Sequence, residues 1–204
     1  MGSHLPHLSY LPHTPHRTRM RDASSAPSSR RRRARTGLTS RKTTMAALDS
    51  PTAALIDHIF KGAADLTLAT LRADGSPHAS TVNFVHHGLT LYAAISLDSG
   101  KAHDIHHDQR VALTVNLPYT DWAEIQGVSI DAIAAFVTDP AELALASSLL
   151  ISKLPAYNTI IARPDIVPWP GTLFVRITPH ALTLLDYTLG YGHARHIALD
   201  QPAG

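Results

Sequence analysis

Between Asp65 and Thr138 the chain divides into five short strand-like runs separated by turn signals. They are interrupted once, by a short helical stretch that opens with Lys101. This order constrains the fold more than any other feature. Strands spaced this closely pair antiparallel, and one small helix cannot supply repeated βαβ units. A doubly wound nucleotide fold is therefore disfavoured, and the expected class is mainly β (α+β), a small antiparallel barrel with flanking helices.

Local signals place the elements. Ser50-Pro51 reads as a helix start, with Ser50 as cap, and Gly62 ends that helix. Leu66, Leu68 and Thr70 alternate with Thr67, Ala69 and Leu71, which predicts a strand buried on both faces. Asp74-Gly75 supplies the hairpin turn that follows. The second strand is predicted from Pro77 to His86, with Ser80, Val82 and Phe84 facing one side. Ala79, Thr81, Asn83 and Val85 face the other. Leu89–Ile95 is the third strand, Arg110–Leu117 the fourth and Glu124–Val137 a bent fifth with its bulge at Gly127. Asp139-Pro140-Ala141-Glu142 predicts a helix to about Leu154, with Glu142 as the capping-box acid. After an irregular 155–170, Gly171–Thr178 and Ala181–Tyr187 read as two strands hinged at Pro179-His180. Gly190-Tyr191-Gly192 reads as a closing tail.

Charge divides the chain in two. Residues 1–44 hold ten of the 18 Lys and Arg and one of the 16 acids. The rest of the chain is acidic, so the basic pI near 9.0 belongs to the leader and does not point to nucleic acid. Rich in Pro, Ser, His and Arg, that leader is expected to be a disordered basic tail, or the product of a mis-called start before Met45. Residues 45–204 are expected to form one domain. With no cysteine there is no disulfide, thiolate metal site or cysteine nucleophile. No apolar run is long enough to span a membrane.

Two stretches carry candidate binding chemistry. Ser96-Leu97-Asp98-Ser99-Gly100-Lys101 leads into a helix N-terminus, where unpaired N–H groups and the positive dipole end gather. Ser96 and Ser99 add hydroxyls and Lys101 a full charge, so the stretch suits a phosphate group. The alternative is an ordinary serine-capped helix with an exposed lysine. Within the second strand, Thr81, Val82 and Asn83 could lie against a planar heterocycle. The alternative there is a half-exposed antiparallel strand. His103, His106 and His107 share the helix, but no H-E-x-x-H is present and they read as exposed; no metal site is expected. His86-His87 reads as surface. There is no G-x-S-x-G elbow, and no catalytic residue can be nominated.

In order and spacing, these segments resemble the FMN-binding split β-barrel of the pyridoxamine 5′-phosphate oxidase-like proteins. The matching stretches are Leu66-Thr67-Leu68-Ala69-Thr70, Asp74-Gly75-Ser76-Pro77, Ser80-Thr81-Val82 and Ser99-Gly100-Lys101-Ala102. Asp108-Gln109-Arg110-Val111-Ala112-Leu113 and Gly127-Val128-Ser129-Ile130 continue them. The ending Asp186-Tyr187-Thr188-Leu189-Gly190-Tyr191-Gly192 is similar to that of an uncharacterised bacterial subgroup. The resemblance implies bound FMN, with Lys101 on its phosphate, Ser96 and Ser99 near it, and Thr81, Val82 and Asn83 lining the ring. The oxidase has an arginine early in the second strand where this chain has Ala79, beside His78. The implied function is thus a flavin-dependent oxidoreductase of unknown substrate, rather than pyridoxamine phosphate oxidation. The superfamily also holds proteins that use deazaflavin F420 or haem, so the alternative is a non-catalytic flavin or haem binding or sensor protein, or a deazaflavin-dependent reductase. His193 and His196 are placed to reach a haem edge. The resemblance further implies a cytoplasmic homodimer acting on a small molecule, with Val111–Val115 and Leu173–Ile177 as candidate interface strands.

Overall fold

A computed structural model describes residues 48–199, so the expectation for the tail lies outside the described residues. The first element, α1 (Ser50–Gly62), is capped by Asp49 rather than Ser50: its side chain accepts the Thr52 N–H at 2.9 Å. A carboxylate one residue earlier leaves Ser50 and Pro51 as the first helical positions. Ile56, Ile59 and Phe60 of α1 are fully buried. Each contributes roughly 1.5–3 kcal/mol through removal from water.

Next come β1 (Asp65–Leu71) and β2 (Pro77–Asn83), joined by the expected hairpin with Gly75 at φ 81°. Leu66, Leu68 and Thr70 are buried, whereas Thr67, Ala69 and Leu71 are not, so β1 is covered on one face only. The predicted second strand is broken at Phe84, and β3 (Val85–His87) follows it. Phe84 turns fully into the core, edge-on to Phe60 at 6.1 Å. Beyond lie β4 (Thr90–Ser96), α2 (Gly100–His107), β5 (Arg110–Asn116) and β6 (Gln126–Phe136). A 3-10 turn at Trp122–Glu124, absent from the sequence reading, is held by a capping box between Asp121 and Glu124.

The C-terminal part holds α3 (Pro140–Lys153), the single turn α4 (Tyr157–Ile160), β7 (Thr172–Asp186) and β8 (Ala194–Ala198). The two expected strands are therefore one, of 15 residues. Asp131 pairs with Ala181 and Ala132 with Pro179, which leaves His180 as the extra residue of a bulge. The bulge lies there and not at Gly127. Gly127 is instead a close approach: a Cβ on it would meet the Asn116 amide and, at 3.0 Å, the Val115 carbonyl. The expected closing tail continues into β8, which pairs with β7.

All strands join one antiparallel sheet, ordered β2-β1-β5-β6-β7-β4-β3, with β8 on β7. Its two outer strands, β2 and β3, are consecutive in the chain with only Phe84 between them. The sheet must therefore roll until its edges meet, closed by one residue of backbone instead of a hydrogen-bond ladder. This is a split β-barrel. Its interior holds Leu66, Leu91, Val115, Val128, Ile130 and Ile177, among others, with α1 packed against it. A second cluster lies outside β4 and β7, where α3 packs Leu143, Ala146 and Leu150 on Tyr92, Phe174 and Trp169. Val111, Leu113, Val115, Val175 and Ile177 belong to the interior, and Phe174 lies in the α3 cluster. Hence the apolar side chains of Val111–Val115 and Leu173–Ile177 do not form an outer interface.

Glu142 does not fold back as a capping-box acid. The Tyr92 hydroxyl donates to it at 2.9 Å and Arg176 pairs with it at 2.8 Å, tying α3 to β4 and β7. Burial, together with the Glu142 hydrogen bond and charge, pushes the Tyr92 phenol up to about 12.

Candidate functional site

The split in the barrel positions the site. β2 begins at Pro77, β4 finishes at Ser96 and α2 starts at Gly100. A Cβ on Gly100 would lie 3.3 Å from the His78 ring, so the start of α2 sits directly against β2.

Ser99 is the cap of α2. Its hydroxyl accepts from the Ala102 N–H at 3.3 Å and donates to the Ser96 carbonyl at 2.7 Å. That commits the Ser99 proton, so Ser99 shapes the turn. Ser96 is exposed, and its hydroxyl oxygen receives only the Asp98 N–H, at 3.4 Å. The backbone N–H groups of Gly100 and Lys101 have no acceptor among the described residues. They are two of the orphan donors of a helix start. Lys101 is half-buried and forms no ion pair among the described residues. Ser96 and Ser99 thus lead directly into the first turn of α2, where Lys101 stands.

A buried network fixes α2 in place, and it involves residues the sequence reading left out. Asp104 is 6% exposed. Its Oδ2 accepts from the Thr70 hydroxyl at 2.7 Å and pairs with His78 Nδ1 at 2.6 Å. Burial raises the Asp104 pKa, but the hydrogen bonds from Thr70 and His78 and the charges of His78 and Arg72 outweigh it, and the carboxyl sits below its ordinary value. The sequence signal was an acid between Ala102 and Ile105, on the buried face of a short helix.

The second half of the predicted site lies along β2. Thr81 and Asn83 are exposed and Val82 is buried, so only the first two present side chains outward. Asn83 donates to the Ala64 carbonyl at 3.4 Å. From His78 to Thr81 is three residues of extended chain, roughly 10 Å. None of the concavities lining α1 or the outer sheet face includes Thr81, Asn83, Ser96 or Lys101. The site lies beside the split, where the start of α2 meets β2.

His103, His106 and His107 are exposed, and among the described residues no three His, Asp or Glu side chains gather as a metal site. His86 differs from the surface reading. It is half-buried edge-on to Phe60 at 5.2 Å, and burial lowers its pKa. Among the described residues no helix is long and apolar enough to cross a membrane.

Comparison with solved structures finds this fold repeatedly. A haem-binding protein from Mycobacterium smegmatis superposes with a TM-score of 0.60 at 19% identity, over 74% of this chain and 60% of that one. The chain therefore spans about three fifths of that relative. HutZ, the haem storage protein from Vibrio cholerae, gives 0.52 at 19%, over 64% of this chain and 89% of that one. General stress protein 26 from Bacillus anthracis gives 0.53 at 21%, over 72% and 97%. At these identities the likeness is one of fold. No curated protein matches the sequence significantly. The family model for pyridoxamine 5′-phosphate oxidase matches residues 56–186, from the middle of α1 to the last residue of β7. A match over that span, on a sheet whose edges meet across Phe84, makes this chain a member of the pyridoxamine 5′-phosphate oxidase family.

Proposed function

We propose that this chain is a cytoplasmic flavoprotein that holds FMN on the shelf between α2 and β2 and acts as an oxidoreductase on a small molecule. One observation carries the reading. Two acceptorless backbone N–H groups, at Gly100 and Lys101, stand at the start of α2 against His78, and the same strand runs on to Thr81–Asn83. A phosphate satisfies the first set, and a planar ring lies along the second. Lys101 and the α2 N-terminus bind the phosphate, Ser96 donates its hydroxyl, and Thr81, Val82 and Asn83 orient the ring. Asp104 and His78 hold α2 at the right height. Bound flavin supplies the electron transfer, and the protein supplies position and access.

The shelf is open on one side, which calls for a second wall from a homodimer partner. The outer face of β1, β5 and β6 suits that contact. It presents Thr67, Ala69, Ala112, Thr114 and Asp131, small or short side chains with no helix over them, around two shallow concavities.

Haem is the second reading. Two proteins of this fold are named for haem binding or storage, and His193 and His196 are exposed beside β8. The visible spectrum of the purified protein, before and after addition of FMN, deazaflavin F420 or haem, separates these readings. A flavin band retained through gel filtration supports the proposal. A Soret band alone supports haem, and a colourless protein that takes up none of the three overturns both.

A further inference from the structure

A separate cleft lies where the first turn of α1 faces the β7–β8 hairpin. Strand register builds it. Leu184 pairs with Arg195, and the Asp186 N–H donates to the His193 carbonyl at 3.1 Å. Residues opposed in an antiparallel pair share a face, so Leu184, Asp186, His193 and Arg195 lie on one side. Together with α1 they enclose about 270 Å³, and Leu55, Leu184 and Leu189 form the apolar walls.

Asp186 is 8% exposed. Its Oδ1 receives the Gln126 amide at 3.0 Å, the Thr188 hydroxyl at 2.6 Å and the Thr188 N–H at 3.3 Å. Its Oδ2 receives no donor among the described residues, and Asp186 lines the cleft. Oδ2 is therefore the Asp186 atom left to accept from a ligand in the cleft. Burial raises the Asp186 pKa, but hydrogen bonds from Thr188 and Gln126 and the charge of His193 outweigh it, so the group is anionic at neutral pH. The nearby cation is already engaged: the Arg195 guanidinium bridges Asp49, at 3.2 Å, and the Thr52 hydroxyl. The cleft thus offers one open oxygen of a buried carboxylate, an arrangement that favours a cationic donor. Past Leu189 the surface continues into exposed aromatic rings. Tyr191 packs on Trp122 at 5.7 Å and on Tyr187 at 5.6 Å, and aromatic rings attract organic cations.

We propose that this cleft binds a small organic ammonium ion, a primary amine with a short branched apolar chain. Its ammonium group donates to Asp186 Oδ2, and its chain lies along Leu55, Leu184 and Leu189. The inference does not depend on the flavin reading.

Isopentylamine, isopentanol and isovalerate share one carbon skeleton and differ in charge. Each is titrated into the full chain and followed by amide-resolved NMR. The amine is expected to bind saturably, with shifts centred on Asp186, Leu189 and Thr52. Isopentanol binds about 10-fold more weakly or worse, as the loss of a charge-assisted contact requires, and isovalerate does not bind. Asp186→Asn removes the preference of amine over alcohol. Because Asp186 also anchors Gln126 and Thr188, a second pair of variants uses the exposed Leu189 at the mouth. Leu189→Arg weakens the amine and Leu189→Glu tightens it, with the remaining spectrum unchanged. Equal affinity for amine and alcohol, indifference to the charge at 189, or shifts centred elsewhere would overturn the proposal.

Discussion

Asp104 is a single carboxylate that holds two strands and a helix in register. Replacing it by Ala leaves the Thr70 hydroxyl and His78 without their acceptor, and is expected to cost about 1.5–3 kcal/mol. The effect depends on pH, with a definite sign. The folded-state pKa of Asp104 lies below its unfolded value. Its stabilisation is therefore complete above the unfolded carboxylate range and is lost as pH falls through the folded value. Melting temperatures of wild type and Asp104→Ala should differ most near neutrality and converge well below about pH 4. A gap that stays constant down to pH 2 would contradict this. Tyr92 gives the opposite case. Its phenol is held neutral up to about 12, so its contribution is complete below the unfolded tyrosine value and fades as pH rises through about 12. Alkaline titration of phenolate absorbance should show Tyr92 titrating late, alongside Tyr157, whose phenol burial also raises, and Glu142→Gln should move only the Tyr92 transition to lower pH.

At the scale of elements, what was legible in the sequence was what is local. Asp74-Gly75 gave its hairpin and Asp139-Pro140 its helix start because each signal lies within four residues. The rest turned on contacts between distant segments. The period of two runs straight through Phe84, which the structure instead buries against Phe60 between β2 and β3. β8 was hidden because Gly190-Tyr191-Gly192 looks like an ending until its pairing with β7 is seen. Gly127 and Pro179-His180 both looked like bends. The register places the bulge at His180 and leaves Gly127 a steric role. In the candidate site, Ser96, Ser99 and Lys101 were readable as a helix start. Asp104 was not, because His78 and Thr70 lie 26 and 34 residues away. Gly127→Ala tests the steric assignment. A methyl group against the Val115 carbonyl and the Asn116 amide should cost roughly 1–3 kcal/mol in denaturant unfolding. Asn116→Ala should recover part of that loss. A neutral Gly127→Ala would contradict the steric assignment.

For the whole molecule, the account requires the barrel alone to carry the flavin shelf and the partner contact. Removal of residues 1–44 should leave the melting temperature, FMN affinity and dimeric mass by light scattering unchanged. A monomer, or a large drop in melting temperature, would count against it. The central claim is that the start of α2 holds a phosphate, and fluorescence titration of wild type and Lys101→Ala with FMN and with riboflavin tests it most directly. Riboflavin carries the same ring and ribityl chain without the phosphate. The account predicts that Lys101→Ala weakens FMN by about 10- to 150-fold, the worth of one charge-assisted contact, and leaves riboflavin unchanged. Equal weakening of both ligands, or no change in either, would contradict it.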